Sequence, residues 1–188
     1  MLINGTFYLK EGSSLDYKVG PSMRYDQLFR AEVDAAGKTA LLVLMPFFVH
    51  EIDKMMQMIN EAQLSVDIFV KFHPEIDGRK YEQHLQGNMQ IVEEDLYALF
   101  NRVGCVIGKE TGALVEAASV GIPVINLKTG PGLTHNFMPS FGKGIIWENA
   151  SSGEEISRLI NDFQKLLLTD TEKFQATANK YKKMLFCE

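Results

Sequence analysis

Cysteine is scarce in this chain, with two among 188 residues. Cys105 lies inside an apolar run and Cys187 is penultimate, so the pair neither builds a disulfide framework nor has the spacing of a metal site, and a reducing compartment is expected. The four histidines, His50, His73, His84 and His135, are likewise too scattered for a ligand set. Positive charge is in deficit: 19 Lys and Arg against 24 Asp and Glu give a net charge of −5. Such a chain has no overall field to gather nucleic-acid phosphates or an anionic membrane surface, so no nucleic-acid partner is expected and a phosphate-bearing ligand must be held locally. Long apolar runs are missing too. The longest, Ala40 to Val49, contains Pro46 and is about half the ~20 residues of a transmembrane helix, so no transmembrane segment is expected. No basic flank precedes an apolar core at Met1, so no secretory signal is expected there, which points to a cytoplasmic location, near the membrane only through partners. There is no internal repeat or low-complexity tract, no Walker loop, no Gly-x-Gly-x-x-Gly and no nucleophile elbow.

What is present is an ordinary globular composition, 46% hydrophobic, 10% aromatic and 23% charged. The length suits one sizeable domain burying roughly 70% of its unfolded surface. Residues 1–38 read as an irregular lead-in, with an amphipathic piece through Leu28 and Phe29. From residue 39 onward, strand and helix patterns alternate. Thr39 to Met45, Val66 to Phe72, Val103 to Ile107 and Ile122 to Leu127 are apolar enough for strands buried on both faces, with weaker candidates at Met89 to Val92 and Ile145 to Trp147. Ile52, Met55, Met56 and Ile59 form one helical stripe, as do Leu96, Leu99, Phe100 and Val103. Gly112 to Val120 reads as a helix stopped by Gly121 and followed by Pro123. Ile156, Leu159, Ile160, Phe163 and Leu167 mark a helix capped by Ser151 or Ser152, and Asp170 to Leu185 a last one. The alternation predicts a three-layer, Rossmann-like α/β domain over residues 39–188, with a mostly parallel central sheet and helices on both faces.

Ligands of such sheets bind beyond the carboxyl ends of the strands, which directs attention to the turns there. In Lys71-Phe72-His73-Pro74, the proline holds His73 extended at the sheet's lip, where the imidazole, with Lys71 nearby, can donate to a phosphate or protonate a leaving group. A local hydrogen bond in a tight turn is the competing use of His73. Gly108-Lys109-Glu110-Thr111-Gly112-Ala113 leads into a helix whose amides and dipole suit an anion, with Thr111 adding a hydroxyl and Lys109 a charge. The same pattern fits an ordinary helix start capped by Thr111. Glu116, among small apolar neighbours about one and a half turns on, is placed to accept both hydroxyls of a ribose, or else faces solvent. The loop from Lys128 to Asn136 either touches the sugar or base or merely connects. His50 and His84 read as surface residues.

Taken together, Lys71-Phe72-His73-Pro74, the run from Val106 to Ala117 and Gly121-Ile122-Pro123-Val124-Ile125 resemble the C-terminal half of a GT-B glycosyltransferase. The similarity is to bacterial capsule and surface-carbohydrate transferases, including sialyl- and polysialyltransferases and glycerophosphotransferases of teichoic-acid type. It covers roughly Thr39 to Leu167, and Val19-Gly20-Pro21 with Met23-Arg24-Tyr25 resembles the segment entering that domain. The resemblance implies a nucleotide-sugar donor as substrate with no cofactor or metal, and His73 acting catalytically at the phosphate. It implies Thr111 and the amides of Gly112 and Ala113 beside it, and Glu116 at the ribose; Lys71 and Lys109 join this candidate site from the reading of the turns alone. Where the family has serines this chain has Lys109-Glu110-Thr111, and a carboxylate there is compatible with phosphate only if Glu110 turns away or pairs with Lys109. The acceptor site of a complete enzyme lies on another domain, so the chain is expected to be half an enzyme, paired with a separate acceptor domain or subunit. Two other readings remain open: half of a nucleotide-sugar epimerase of the same architecture, and a non-catalytic doubly wound interaction module.

Overall fold

Leu41–Leu44 (β3), Cys105–Gly108 (β6) and Val124–Leu127 (β7) are buried along their whole length, as strands covered on both faces must be. They are the middle of a six-stranded, all-parallel sheet in a computed structural model of the chain, which describes residues 2–3, 18–20, 25–30, 33–130 and 138–186. Ile68–Lys71 (β4) and Met89–Ile91 (β5) flank β3 on one side, and Trp147–Ala150 (β8) lies outside β7 on the other. The order is β5-β4-β3-β6-β7-β8. A separate parallel pair joins Leu2–Ile3 (β1) to Lys18–Val19 (β2).

Alternation along the strands feeds two apolar layers. Leu41 and Val43 point with Cys105 and Ile107 into one layer, closed by the helices Val49–Glu61 (α2) and Gly153–Thr169 (α5). Leu42 and Leu44 point with Val106 into the other, closed by Asp26–Arg30 (α1), Leu96–Phe100 (α3), Gly112–Ser119 (α4) and Thr171–Leu185 (α6). The lead-in therefore does more than connect: Leu28, Val33 and Ala35 sit in the second layer. Of the segment thought to enter the domain, Pro21, Met23 and Arg24 lie outside the described residues.

The helix signals have direct physical counterparts. The α2 stripe is buried at Ile52, Met55, Met56 and Ile59. Ser152 caps α5 by accepting from the Glu155 amide. Gly121, at φ +88°, ends α4 with Ile122 N–H donating to Ala117 and Gly121 N–H to Ala118, the paired bonds of a left-handed helix stop. The last strand differs from expectation. A 3₁₀ turn at Ser140–Gly142 and a turn through Gly144 occupy the chain up to Ile146, so β8 starts at Trp147. Pro139 anchors that turn, its carbonyl accepting from Trp147 Nε1 at 2.9 Å and from Tyr181 Oη at 2.6 Å. The polar stretch Gly78–His84 forms a 3₁₀ helix, for which no hydrophobic period exists in the sequence.

Candidate functional site

The chain passes from β3 to β4 to β5 in one direction, then returns to add β6, β7 and β8 in the other. The order thus reverses between β3 and β6, and the following helices, α2 and α4, leave to opposite faces. A crevice opens at such a point. Leu44 is in register with both Lys71 and Gly108, so the segments after β3, β4 and β6 emerge side by side. They enclose a cleft of about 180 Å³. Phe47 and Phe48 line it after β3, His73 after β4, and Lys109, Glu110 and Thr111 after β6, with Glu51 from the first turn of α2.

Lys109 is the most constrained of these residues. It is 8% exposed, and its Nζ lies 2.8 Å from Glu51 Oε2 and donates to Thr129 Oγ1 at 2.7 Å. Thr129, just beyond β7, in turn donates to Glu51 Oε2. The three side chains tie together the ends of β6 and β7 and the start of α2. Hydrogen bonds from Lys109 and then Thr129 hold the Glu51 carboxyl below the usual carboxylate range, outweighing the opposing effect of burial. Glu110 does not supply the partner for Lys109; Glu51 does.

His73 is exposed and stands edge-on to Phe47, ring centroids 5.0 Å apart. Its Nδ1 accepts from the Glu75 amide at 3.3 Å, which in the neutral ring puts the proton on Nε2. The local hydrogen bond and the outward donor are thus compatible. Lys71 is elsewhere: its ammonium donates to the Glu94 carbonyl at 2.6 Å and the Glu93 carbonyl at 3.4 Å, and it does not line the cleft.

At the start of α4, Thr111 is the N-cap, with Oγ1 accepting from Ala113 N–H at 3.4 Å and its carbonyl accepting from Leu114 N–H at 3.2 Å. The Ala113 amide, expected to meet a phosphate, is therefore already engaged by the cap. Gly112 is the open position, where an added methyl group would meet nothing within 4 Å. Glu110, at φ +49°, adopts the left-handed conformation that non-glycine residues rarely take. Glu116 does not face solvent: it is 4% exposed and accepts from Tyr97 Oη at 3.0 Å. It does not line the cleft, so the expected residues form two groups, His73, Lys109 and Thr111 around the cleft and Glu116 against α3.

Three cleft features escaped sequence reasoning. Glu51 sits beside the apolar stripe of α2 and looks like any first-turn acid. Phe47 and Phe48 continue an apolar run, and Thr129 belongs to a loop read as either touching the sugar or base or merely connecting, with no part in holding Lys109 and Glu51. Thr134, His135 and Asn136 of that loop lie outside the described residues, as does Cys187. Burial pushes the Cys105 thiol up, which removes it as a nucleophile. Among the described residues there is no group of three or more metal-ligating side chains, and no helix long and apolar enough to cross a membrane.

No family model matches the sequence, and no curated protein does. Solved glycosyltransferase structures do share its architecture. The glycotransferase of kitacinnamycin superposes with a TM-score of 0.54 at 10% identity, over 79% of this chain and 40% of that one. The glycosyltransferase SnogD from Streptomyces nogalater gives 0.53 at 18% identity, over 89% and 43%. The wall teichoic acid polymerase TagF gives 0.50 at 10% identity, over 87% and 44%. The likeness is one of fold: the six-stranded parallel sheet and its helices match one half of a GT-B glycosyltransferase. The chain spans well under half the length of these structures.

Proposed function

We propose that this chain is the donor-binding half of a glycosyltransferase and holds a nucleotide sugar where the strand order reverses. The observation that carries the reading is that His73 and the Thr111 cap of α4, distant in sequence, line one cleft at that point. The donor's phosphate lies against the Gly112 amide and the positive end of the α4 dipole. His73 Nε2–H donates to the phosphate oxygen that leaves. As the bond from the sugar's anomeric carbon to that oxygen breaks and a bond to an acceptor hydroxyl oxygen forms, with the hydroxyl's proton passing to a base on the acceptor domain, this donor offsets the growing negative charge on the phosphate. Glu116 holds the ribose, and its burial on a helix that starts at the cleft favours that role over a solvated one. The acceptor is bound by a separate domain or subunit, in keeping with the share of the longer glycosyltransferases that this chain spans. The motif resemblance extends the reading to surface-polysaccharide or glycoconjugate synthesis on the cytoplasmic side.

Calorimetric titration with CMP, CDP, UDP and GDP tests this. One of them is expected to bind, and at 100–1,000 times its dissociation constant to stabilise the fold by about 3–4 kcal/mol. His73→Ala and Glu116→Ala should each weaken that binding while the far-ultraviolet dichroism stays that of the parent. Equal affinity in the parent and both variants overturns the site; no binding by any nucleotide overturns the function and leaves a non-catalytic module.

A further inference from the structure

We infer that the enclosed part of the cleft is a sugar-ring subsite, in which Glu51 accepts from ring hydroxyls and the Phe47–Phe48 lip packs on the ring's apolar face. The inference rests on the donor-binding reading above and assigns the part of the donor that enters the cleft.

Size gives the first argument. Pockets that enclose whole drug-sized ligands run to roughly 300–1,000 Å³. At about 180 Å³ this cleft admits one compact portion of a nucleotide sugar, leaving the rest at the rim.

Charge decides which portion. The lining contains two carboxylates, Glu51 and Glu110, and one ammonium, Lys109, whose charge is already matched by Glu51 at 2.8 Å; the Lys54 ammonium, one turn along α2, also acts on Glu51 but does not line the cleft. His73, accepting at Nδ1 from the Glu75 amide, adds no positive charge in its neutral form. A phosphate pushed into this space would face an unmatched carboxylate and would have to pull Lys109 away from Glu51. A sugar ring is neutral, and its hydroxyls donate to carboxylates. Glu51 can take such a donor: both Lys109 and Thr129 bond to Oε2, while Oε1 has His50 Nε2 at 3.4 Å, and a carboxylate has about four acceptor positions.

The apolar wall supplies the second half of a carbohydrate site. Phe47 is 49% exposed and Phe48 57%, two of the few large hydrophobic side chains left open among the described residues. They meet edge to face, with centroids 5.7 Å apart, and Phe47 meets the His73 ring edge to face as well, at 5.0 Å. The electron-rich face of an aromatic ring attracts the weakly positive C–H groups of a pyranose, and an exposed apolar patch at a polar cleft marks a binding surface. The phosphate then stays outside, where Gly112 opens onto free space.

The test compares a nucleotide with its own conjugate of a neutral sugar on the full chain: UDP with UDP-glucose, GDP with GDP-mannose, and CDP with CDP-glucose. Failure of all six to bind the parent protein overturns the donor-binding reading, and this inference with it. Where a pair binds, Phe48→Ala and Glu51→Gln should leave affinity for the bare nucleotide within about twofold and lower that for the conjugate about tenfold. Phe48 is exposed, so its variant reports even where Glu51→Gln perturbs folding. Equal losses for nucleotide and conjugate would put the phosphate in the cleft, and no loss for the conjugate in Phe48→Ala would leave the lip without a role; either overturns the subsite while the donor-binding reading stands.

Discussion

Glu51 and Glu116 are carboxylates drawn away from water on the helices that follow the two central strands, and the protein holds them by different means. Glu51, on α2, is ion-paired with Lys109 and accepts from Thr129, three elements meeting at one oxygen. Glu116, on α4, is more deeply buried and accepts from the Tyr97 phenol of α3. A charge matched by a charge is costly to disturb, because removing one partner strands the other in a poor solvent. The Tyr97 hydroxyl is a single hydrogen-bond donor to Glu116, and deleting one such donor is a smaller disturbance than deleting a paired ammonium. The α2 side is thus built as a fixed wall, in which the Lys109 ammonium counts for more than the Tyr97 hydroxyl does on the α4 side.

The largest effect expected from this contrast is for Lys109→Met. It leaves the Glu51 carboxylate largely buried without its ammonium, with the Thr129 hydroxyl at Oε2 and His50 Nε2 3.4 Å from Oε1, and losses of about 3 kcal/mol are typical when one member of a buried pair is removed. A urea midpoint lowered by that amount, with most of it recovered in Lys109→Met combined with Glu51→Gln, supports the wall; a change below about 1 kcal/mol is the value of a solvated pair and breaks the comparison. The same contrast has a pH signature. Because the folded-state Glu51 carboxyl titrates below its unfolded value, it adds stability above the ordinary carboxylate range. That contribution is lost as pH falls through the lower, folded-state value. Stability of the parent should therefore drop more steeply on acidification than that of Glu51→Gln, and parallel curves would contradict the hydrogen bonds that depress it.

Tyr97→Phe is the matching experiment on the other side. It removes one hydroxyl from Glu116 without opening a cavity, and should cost about 1 kcal/mol, the net value of a single hydrogen bond. If chemical denaturation shows a loss as large as that of Lys109→Met, the two carboxylates are equally fixed and the distinction fails.

Much of this arrangement was readable in the sequence, and the unreadable part has a common cause. Apolar continuity located β3, β4, β6 and β7, since a strand covered on both faces leaves little room for polar residues. The α2 stripe and the stop at Gly121 are local devices, encoded within a few residues. His73 and Thr111 were recognisable because Pro74 and the glycines beside them impose conformation on the spot. Glu51 was not, because its role depends on the registers that bring β3, β6 and β7 together, a relation among distant segments that no window of sequence contains. Lys71 illustrates the converse. Its position beside His73 suggested shared work, yet a side chain at the end of a strand reaches sideways, and this one is taken by the carbonyls following β5.

The smallest expected effect separates the cleft's two acids from each other. Glu51 is stabilised where it stands, whereas Glu110 holds a left-handed backbone at φ +49°. That conformation costs an ordinary residue about 1–2 kcal/mol. Glycine avoids the cost but loses about 0.5–1 kcal/mol more chain entropy on folding, so Glu110→Gly should stabilise the protein by a net ~0.5 kcal/mol. Strain of this kind persists where the side chain it presents is used. Glu110→Gly is accordingly expected to raise the melting temperature slightly while weakening binding of the nucleotide-sugar conjugate that the parent prefers. A variant that is destabilised, or one that gains stability with undiminished binding, would mean that Glu110 is shaped by the turn alone and that Glu51 is the only acid of the cleft with a ligand to meet.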